Sequence, residues 1–351
     1  MRPIVFVVPG RIDTHTGGSI YDRRMLEALR QEGRLVDLRE LDEGFPFPAQ
    51  ATLDRAADVW ASIPSGTTVV VDGLALGAMP DLAEREAPRL RIVALVHLPL
   101  AADITLNHDS SSRLACGERR ALASAALVVV TGRAALPMLA TYDLPENRIV
   151  VVEPGTDPVP VARGSGGPIV HLLCVATLGP GKGHDILLRA LADQPHRDWR
   201  LTCAGSPTRH PAVVARLRVL ARDRGLQDRV EMAGDLDEQA LGECYDRADL
   251  FVLATRQETY GMAVAEAIAR GLPVVSTRTG AIPDLVGEHA GIVVEPGDSS
   301  ALTAALTSVL GDAQLRGRLA EGARRMRERL PTWEDAARVM NARLARLDSR
   351  G

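Results

Sequence analysis

A chain of 351 residues exceeds what one ordinary hydrophobic core needs and suits two domains. Its 46% apolar and 25% charged content is that of a globular protein. The net charge of −4, with the acidic excess confined to residues 1–165, speaks against nucleic acid or an anionic membrane surface as partner, since either calls for a basic stripe. Cys116, Cys174, Cys203 and Cys244 are scattered, with no CxxC and no histidine at metal spacing. Cys174 and Cys203 fall inside apolar runs, where buried reduced thiols are expected. The run Ile4–Val8 is too short for a signal-peptide core and ends in Pro9-Gly10. No run approaches the roughly 20 apolar residues that span a bilayer. A cytoplasmic protein without a transmembrane segment is expected.

Short apolar runs alternate with amphipathic stretches along the whole chain, the pattern of parallel strands joined by helices. In the first half, strands are predicted at 4–8, 68–71, 91–96, 127–131 and 148–152, with a helix over about 19–32 closed by Gly33. A stretch rich in proline and glycine, 158–167, then reads as a linker. The alternation restarts with strands at 170–176, 200–203, 230–232, 250–253, 273–276 and 291–294. Helices are predicted at 185–192, 211–224, 262–270 and 300–310. After Pro331, residues 333–347 form an amphipathic helix expected to pack across the domain junction. Two doubly wound halves bind ligands outside the carboxyl ends of their strands, so chemistry is expected in the cleft between them.

Four segments at strand ends carry candidate chemistry. Thr16-Gly17-Gly18 follows the first strand, and its glycines let backbone amides approach a phosphate or sugar. No G-x-G-x-x-G follows that strand, which argues against a dinucleotide site. His97 ends the strand 91–96, where a polar ring faces the ligand side of the sheet; Thr131 and Arg133 hold the matching place after 127–130. His15, His108 and His184 read as exposed loop or helix-start residues.

In the second half, Thr177-Leu-Gly179-Pro-Gly181-Lys182-Gly183 follows the strand 170–176. Lys182 is the only lysine in the chain, and a cation there suits the negative charge that develops on a departing diphosphate. A phosphate-binding P-loop would need Gly at 176 and Ser or Thr at 183, where the chain has Ala176 and Gly183. Next comes Arg256-Gln-Glu258-Thr-Tyr260-Gly261-Met262-Ala263-Val-Ala-Glu266, between the strand 250–253 and a helix. The free amides opening that helix, with its dipole, form an anion site. Glu258 before it and Glu266 on it can each accept hydrogen bonds from sugar hydroxyls. Asp235-Leu236-Asp237 has the form of a metal-binding D-x-D, but its place ahead of a helical stretch points to capping.

Glu258 and Glu266 form an E-x7-E element. Together with Gly280-Ala-Ile-Pro283-Asp284 after the next strand, the segment resembles the donor site of retaining glycosyltransferases of family 4, which have the GT-B fold. The likeness runs along essentially the whole chain and is most specific over 175–286. It implies an α/β architecture of two Rossmann-like domains facing across a cleft. Residues 1–160 would form the acceptor side and 168–330 the donor domain, with 331–351 crossing back toward the first. It implies transfer from a UDP- or GDP-sugar to a hydroxyl of a small molecule, glycan or lipid. The product would be an α-glycoside, made with neither metal nor other cofactor.

By the same likeness, Glu258 contacts the donor sugar and Glu266 the ribose. Tyr260, Gly261, Met262 and Ala263 line the phosphates, and Lys182 meets the leaving group. Gly17 and Gly18 reach phosphate and acceptor, and His97 matches the family's active-site histidine. Backbone around Gly205 and Leu236 meets the base. Thr177 stands where the family usually has an arginine, which leaves Arg133 or Arg256 to complete a clamp with Lys182. A sugar-nucleotide epimerase or hydrolase on the same fold stays open, as does a catalytically weak sugar-nucleotide binder.

Overall fold

The structure is a computed structural model that describes residues 2–349. The chain divides into two units, one running to Gly155 and resuming at Pro331, the other spanning Thr156–Leu330. The first unit is built on β1 (Ile4–Pro9), β2 (Val36–Leu41), β3 (Thr68–Asp72), β4 (Arg91–Val96), β5 (Leu127–Val130) and β6 (Ile149–Val151). These strands pair in parallel in the order β2-β1-β3-β4-β5-β6. Helices α1 (Gly17–Gln31), α2 (Gln50–Ala61), α3 (Gly73–Leu76), α4 (Pro80–Glu86), α5 (His108–Ala123) and α6 (Ala135–Leu139) connect them. β3 and β5 are buried along their whole length, which is why they read as unbroken valine-rich runs. β2 escapes the hydrophobicity pattern because it is an edge strand. Only Val36 and Leu41 are buried in it, with charged residues between.

The second unit repeats the plan with β7 (Val170–Val175), β8 (Trp199–Ala204), β9 (Val230–Gly234), β10 (Leu250–Leu253), β11 (Val274–Thr277) and β12 (Gly291–Val294). Their order is β12-β11-β10-β7-β8-β9. Around them lie α7 (His184–Ala192), α8 (Pro211–Asp223), α9 (Glu238–Arg247), α10 (Met262–Ala269), α11 (Ile282–Val286), α12 (Ser299–Gly311) and α13 (Ala313–Met326). The chain then returns to the first unit as α14 (Trp333–Asp348), started by a reciprocal capping box between Thr332 and Asp335. The segment that reads as a linker is tied to the second unit. Ala162 N–H donates to the Arg270 carbonyl, Gly164 N–H to the Asp246 carbonyl, and Ser165 N–H to the Asp249 carboxylate.

Each sheet reverses its winding at one point, between β1 and β3 in the first unit and between β7 and β10 in the second. At such a point the two neighbouring connections leave toward opposite faces and open a crevice at the carboxyl ends. The loops after β1 and β3, and those after β7 and β10, therefore meet there. Among the described residues no helix is long and apolar enough to cross a membrane.

Candidate functional site

Lys182 and Glu258 come from the two loops flanking the second switch point. The Lys182 ammonium lies 2.6 Å from Glu258 Oε1, with side chains 33% and 16% exposed. The turn carrying Lys182 is stapled to the loop carrying Glu258. Arg256 N–H donates to the Gly181 carbonyl at 2.8 Å, and the Thr255 hydroxyl lies 3.2 Å from the same oxygen. Gly183 has φ +67°, and a β-carbon there would overlap the Ala254 carbonyl. Only glycine permits this approach. An ammonium has three N–H donors, so one on Glu258 leaves two for anionic oxygens.

Arg256 proves to be a brace for that turn. Its guanidinium forks onto Asp185 at 3.0 Å to each oxygen and donates to the Pro180 carbonyl at 2.6 Å. Burial works to raise the Asp185 carboxyl, but Arg256 and Arg189 hold it below the usual range. Arg133 lies in the first unit, 77% exposed and 3.5 Å from Glu153. Thr177 is half-buried, with its carbonyl accepting from Gly179 N–H.

Beyond Glu258 the chain reaches buried Tyr260 and then Gly261, at φ +103°, which precedes α10. A β-carbon on Gly261 would press on Ile282, and one on Gly280 would press on the Glu258 and Thr259 backbone. The turn at 280–283 thus shapes the Glu258 loop from behind. Met262 and Ala263 open α10 with first-turn amides that lack helical acceptors. Glu266 follows one turn on, where the Tyr245 hydroxyl donates to its Oε2 at 2.9 Å. Burial raises the Glu266 carboxyl, against the Tyr245 bond and the nearby Arg270. Arg270 in turn lies over the Tyr245 ring, 4.2 Å from its centroid.

Gly205 ends β8 so close to β7 that a β-carbon would overlap the Ala176 carbonyl, and its N–H donates to the Gly234 carbonyl. Leu236 lines a cavity of about 560 Å³ against β8, β9 and α9. Asp237 caps α9 through Ala240 N–H at 2.8 Å, the role expected of the D-x-D segment. His184 departs from expectation. It starts α7 but is buried, with Nε2 3.7 Å from Cys174 Sγ, because α7 packs directly on β7. All four cysteines are free, and Cys174 and Cys203 are buried.

In the first unit Thr16 caps α1, so Gly17 and Gly18 are its first two residues rather than a turn ahead of it. The Thr16 hydroxyl satisfies Ser19 N–H and pulls the start of the helix forward. Gly18 sits against His97, where a β-carbon would lie 3.1 Å from Cδ2. His97 Nε2 is 2.9 Å from Asp22 on α1 and 3.5 Å from Asp72 at the end of β3. Sequence reasoning passed over both aspartates. Asp72 carried the same signal as His97, a polar residue closing an apolar strand. Thr131 is buried, its N–H on the Val96 carbonyl. Asp22, Asp72 and His97 form the only group of three or more metal-capable side chains among the described residues, with ligand atoms within 4.8 Å of one another.

Residues 168–326 match the family model described as glycosyl transferases group 1. That match lies within the second unit, so the likeness to the group 1 glycosyl transferases is one of residues 168–326. A D-inositol 3-phosphate glycosyltransferase of Xylanimonas cellulosilytica is 32% identical over 249 residues, 66% of this chain and 59% of that protein. One from Jonesia denitrificans is 30% identical over 239 residues, 62% of this chain and 56% of that protein. The chain therefore spans less than two thirds of the length of these relatives.

Among solved structures, sucrose-phosphate synthase from Thermosynechococcus elongatus aligns over 100% of both chains with a TM-score of 0.85 and 21% identity. Anabaena HepE in complex with UDP-glucose aligns over 97% of this chain and 99% of its own, with a TM-score of 0.80 and 15% identity. At these identities the likeness is one of fold, the α/β GT-B fold. The group 1 match takes in Lys182, Glu258 and Glu266 together.

Proposed function

We propose that the chain is a retaining, metal-independent glycosyltransferase that moves a sugar from a UDP- or GDP-sugar to an acceptor hydroxyl, forming an α-glycoside. The observation that carries this reading is the Lys182–Glu258 pair at the strand-order reversal, beside the amide-rich start of α10. The diphosphate of the donor rests on the first amides of α10 and on the two remaining N–H groups of Lys182. Glu258, oriented by Lys182, accepts hydrogen bonds from the sugar, and Glu266, oriented by Tyr245, accepts them from the ribose. As the bond from anomeric carbon to phosphate breaks, negative charge grows on the diphosphate, where a fixed cation stabilises it more than it stabilises the ground state. The acceptor hydroxyl then attacks from the face the diphosphate leaves and gives its proton to the departing phosphate oxygen. The relatives' names suggest D-inositol 3-phosphate as the first acceptor to test.

Lys182→Ala is expected to lower turnover on the order of 10²–10³-fold, as removal of one charge-stabilising donor does, with the circular dichroism spectrum unchanged. Near-normal turnover would overturn the assignment of Lys182. Turnover should persist in excess EDTA, and its loss would refute metal independence. Free sugar released from donor without acceptor would favour the hydrolase alternative. Binding without turnover against any acceptor would favour a sugar-nucleotide binder, the reading that Thr177 keeps open.

A further inference from the structure

His97 stands in a setting that sugar transfer, as proposed, leaves unexplained. Asp22 reaches it from α1 with 0% exposure, and Asp72 from the end of β3. Both approach the same ring nitrogen, Nε2, at 2.9 and 3.5 Å. Asp72 is fixed by accepting from Leu74 N–H at 2.6 Å, while Asp22 Oδ2 is buried with no partner. Tyr21 of α1 stands edge-on to the imidazole, ring centroids 5.2 Å apart, and its hydroxyl is spent on the Val152 carbonyl. The charged groups acting on the ring are thus the two carboxylates. With a neutral imidazole, two ionised carboxylates would sit buried side by side without a counter-charge, which is strongly unfavourable.

We propose that Asp22 and Asp72 are positioning residues that hold His97 as an imidazolium, so that it serves transfer as a cationic hydrogen-bond donor through Nδ1 and not as the base that takes the acceptor's proton. Both nitrogens of an imidazolium are donors, and with Nε2 committed to the carboxylates Nδ1–H is left for a substrate oxygen. Titration agrees with the geometry. Burial acts to lower the His97 imidazole, but Asp22 and Asp72 outweigh it and lift it to about 10. Burial and Asp72 push Asp22 up to about 7, whereas Asp72 stays below the usual range, chiefly because the His97 bond and charge overcome its own burial. Asp22 therefore loses its proton across neutral pH, while Asp72 is already ionised and the imidazole keeps its proton through that range.

The substrate-facing half of this inference rests on the glycosyl-transfer reading; the charge state does not. Long-range ¹H–¹⁵N spectra of histidine-labelled protein at pH 8, with the His97 signal identified by its loss in His97→Gln, should show both ring nitrogens protonated. A neutral tautomer at pH 8 overturns the proposal whatever the turnover. So does stoichiometric zinc in the purified protein that is lost on Asp72→Asn. Asparagine at 72 can still cap α3, so Asp72→Asn tests the charge with the fold kept, and Asp22→Asn is its partner variant. Wild-type kcat should stay flat between pH 7 and 9. In either variant the imidazole titrates earlier, and kcat should fall at least tenfold over that range with KM little changed. A kcat that rises with pH in wild type or variant marks a base and overturns the proposal. Protonated His97 with no turnover on any sugar nucleotide would sink the transfer reading while supporting the ion-pair assignment.

Discussion

Glu118 is buried on α5, where Oε2 accepts from Leu100 N–H at 2.9 Å and from the Tyr142 hydroxyl at 2.8 Å. Its other oxygen is buried with no partner. Burial outweighs both hydrogen bonds and raises the carboxyl from 4.5 to about 7. The folded chain therefore binds this proton more tightly than the unfolded one. The stability it contributes is fully present below about pH 4.5 and is lost as pH rises through 7, on the order of 3 kcal/mol in all. Glu118→Gln removes the titration. Relative to wild type, the variant should gain stability in urea unfolding between pH 4.5 and 8 by about that amount. A difference that does not change with pH would contradict the assignment. The residue scale is also where sequence was least informative. Lys182 stood out as the only lysine, yet nothing nearby in the chain named Glu258 as its partner, 76 residues on. Asp22, Glu118 and Tyr245 gave no local signal at all, because their roles lie in contacts with distant segments.

At the scale of elements, every strand but β2 was legible. β4, β10 and β12 follow the apolar runs residue for residue, and β10 does so because a strand buried along its whole length must be apolar throughout. β2 was missed because half-exposed edges carry polar residues. The turn from Gly179 to Gly183 shows what glycine does beyond flexibility. Gly183 and Gly225 have nearly the same φ, +67° and +64°, but only Gly183 abuts backbone, while Gly225 faces open space. Gly225→Ala should cost about 1–2 kcal/mol, the left-handed strain alone. Gly183→Ala should cost clearly more and should weaken donor binding, because the Lys182 turn and the Glu258 loop would separate. Equal urea midpoints for the two variants would show that the contact with Ala254 is not what fixes the turn.

For the molecule as a whole, the chain returns to the first unit after Leu330. α14 packs on α1. Trp333 stands edge-on to Tyr21, centroids 5.6 Å apart, and its backbone presses on Gly155. Further along, Arg34 is fully buried, donating to Asn341 at 2.6 Å and lying 3.4 Å from Asp348. Trp333→Ala should cost about 3–5 kcal/mol, as truncation of a buried aromatic does. Hydrogen exchange should then show lost protection in β1–β6 with β7–β12 unchanged. Equal loss in both sheets would mean that the two cores do not melt as separate units.

By itself, the sequence determined the α/β alternation, the two-domain plan and the strand-end loops that carry Lys182, Glu258 and Glu266. It could do so because burial periodicity and glycine placement are local properties of the chain. Only the tertiary structure decided which side chains face one another. Strand order, which no local pattern encodes, brings the β7 and β10 loops together and so joins Lys182 to Glu258, while Arg256 is drawn off to Asp185. The same holds for His97, whose meaning as a strand-end histidine changed once α1 and β3 set two buried carboxylates on one of its nitrogens. A charge's partner depends on distance in space, and that is settled only when the sheets close.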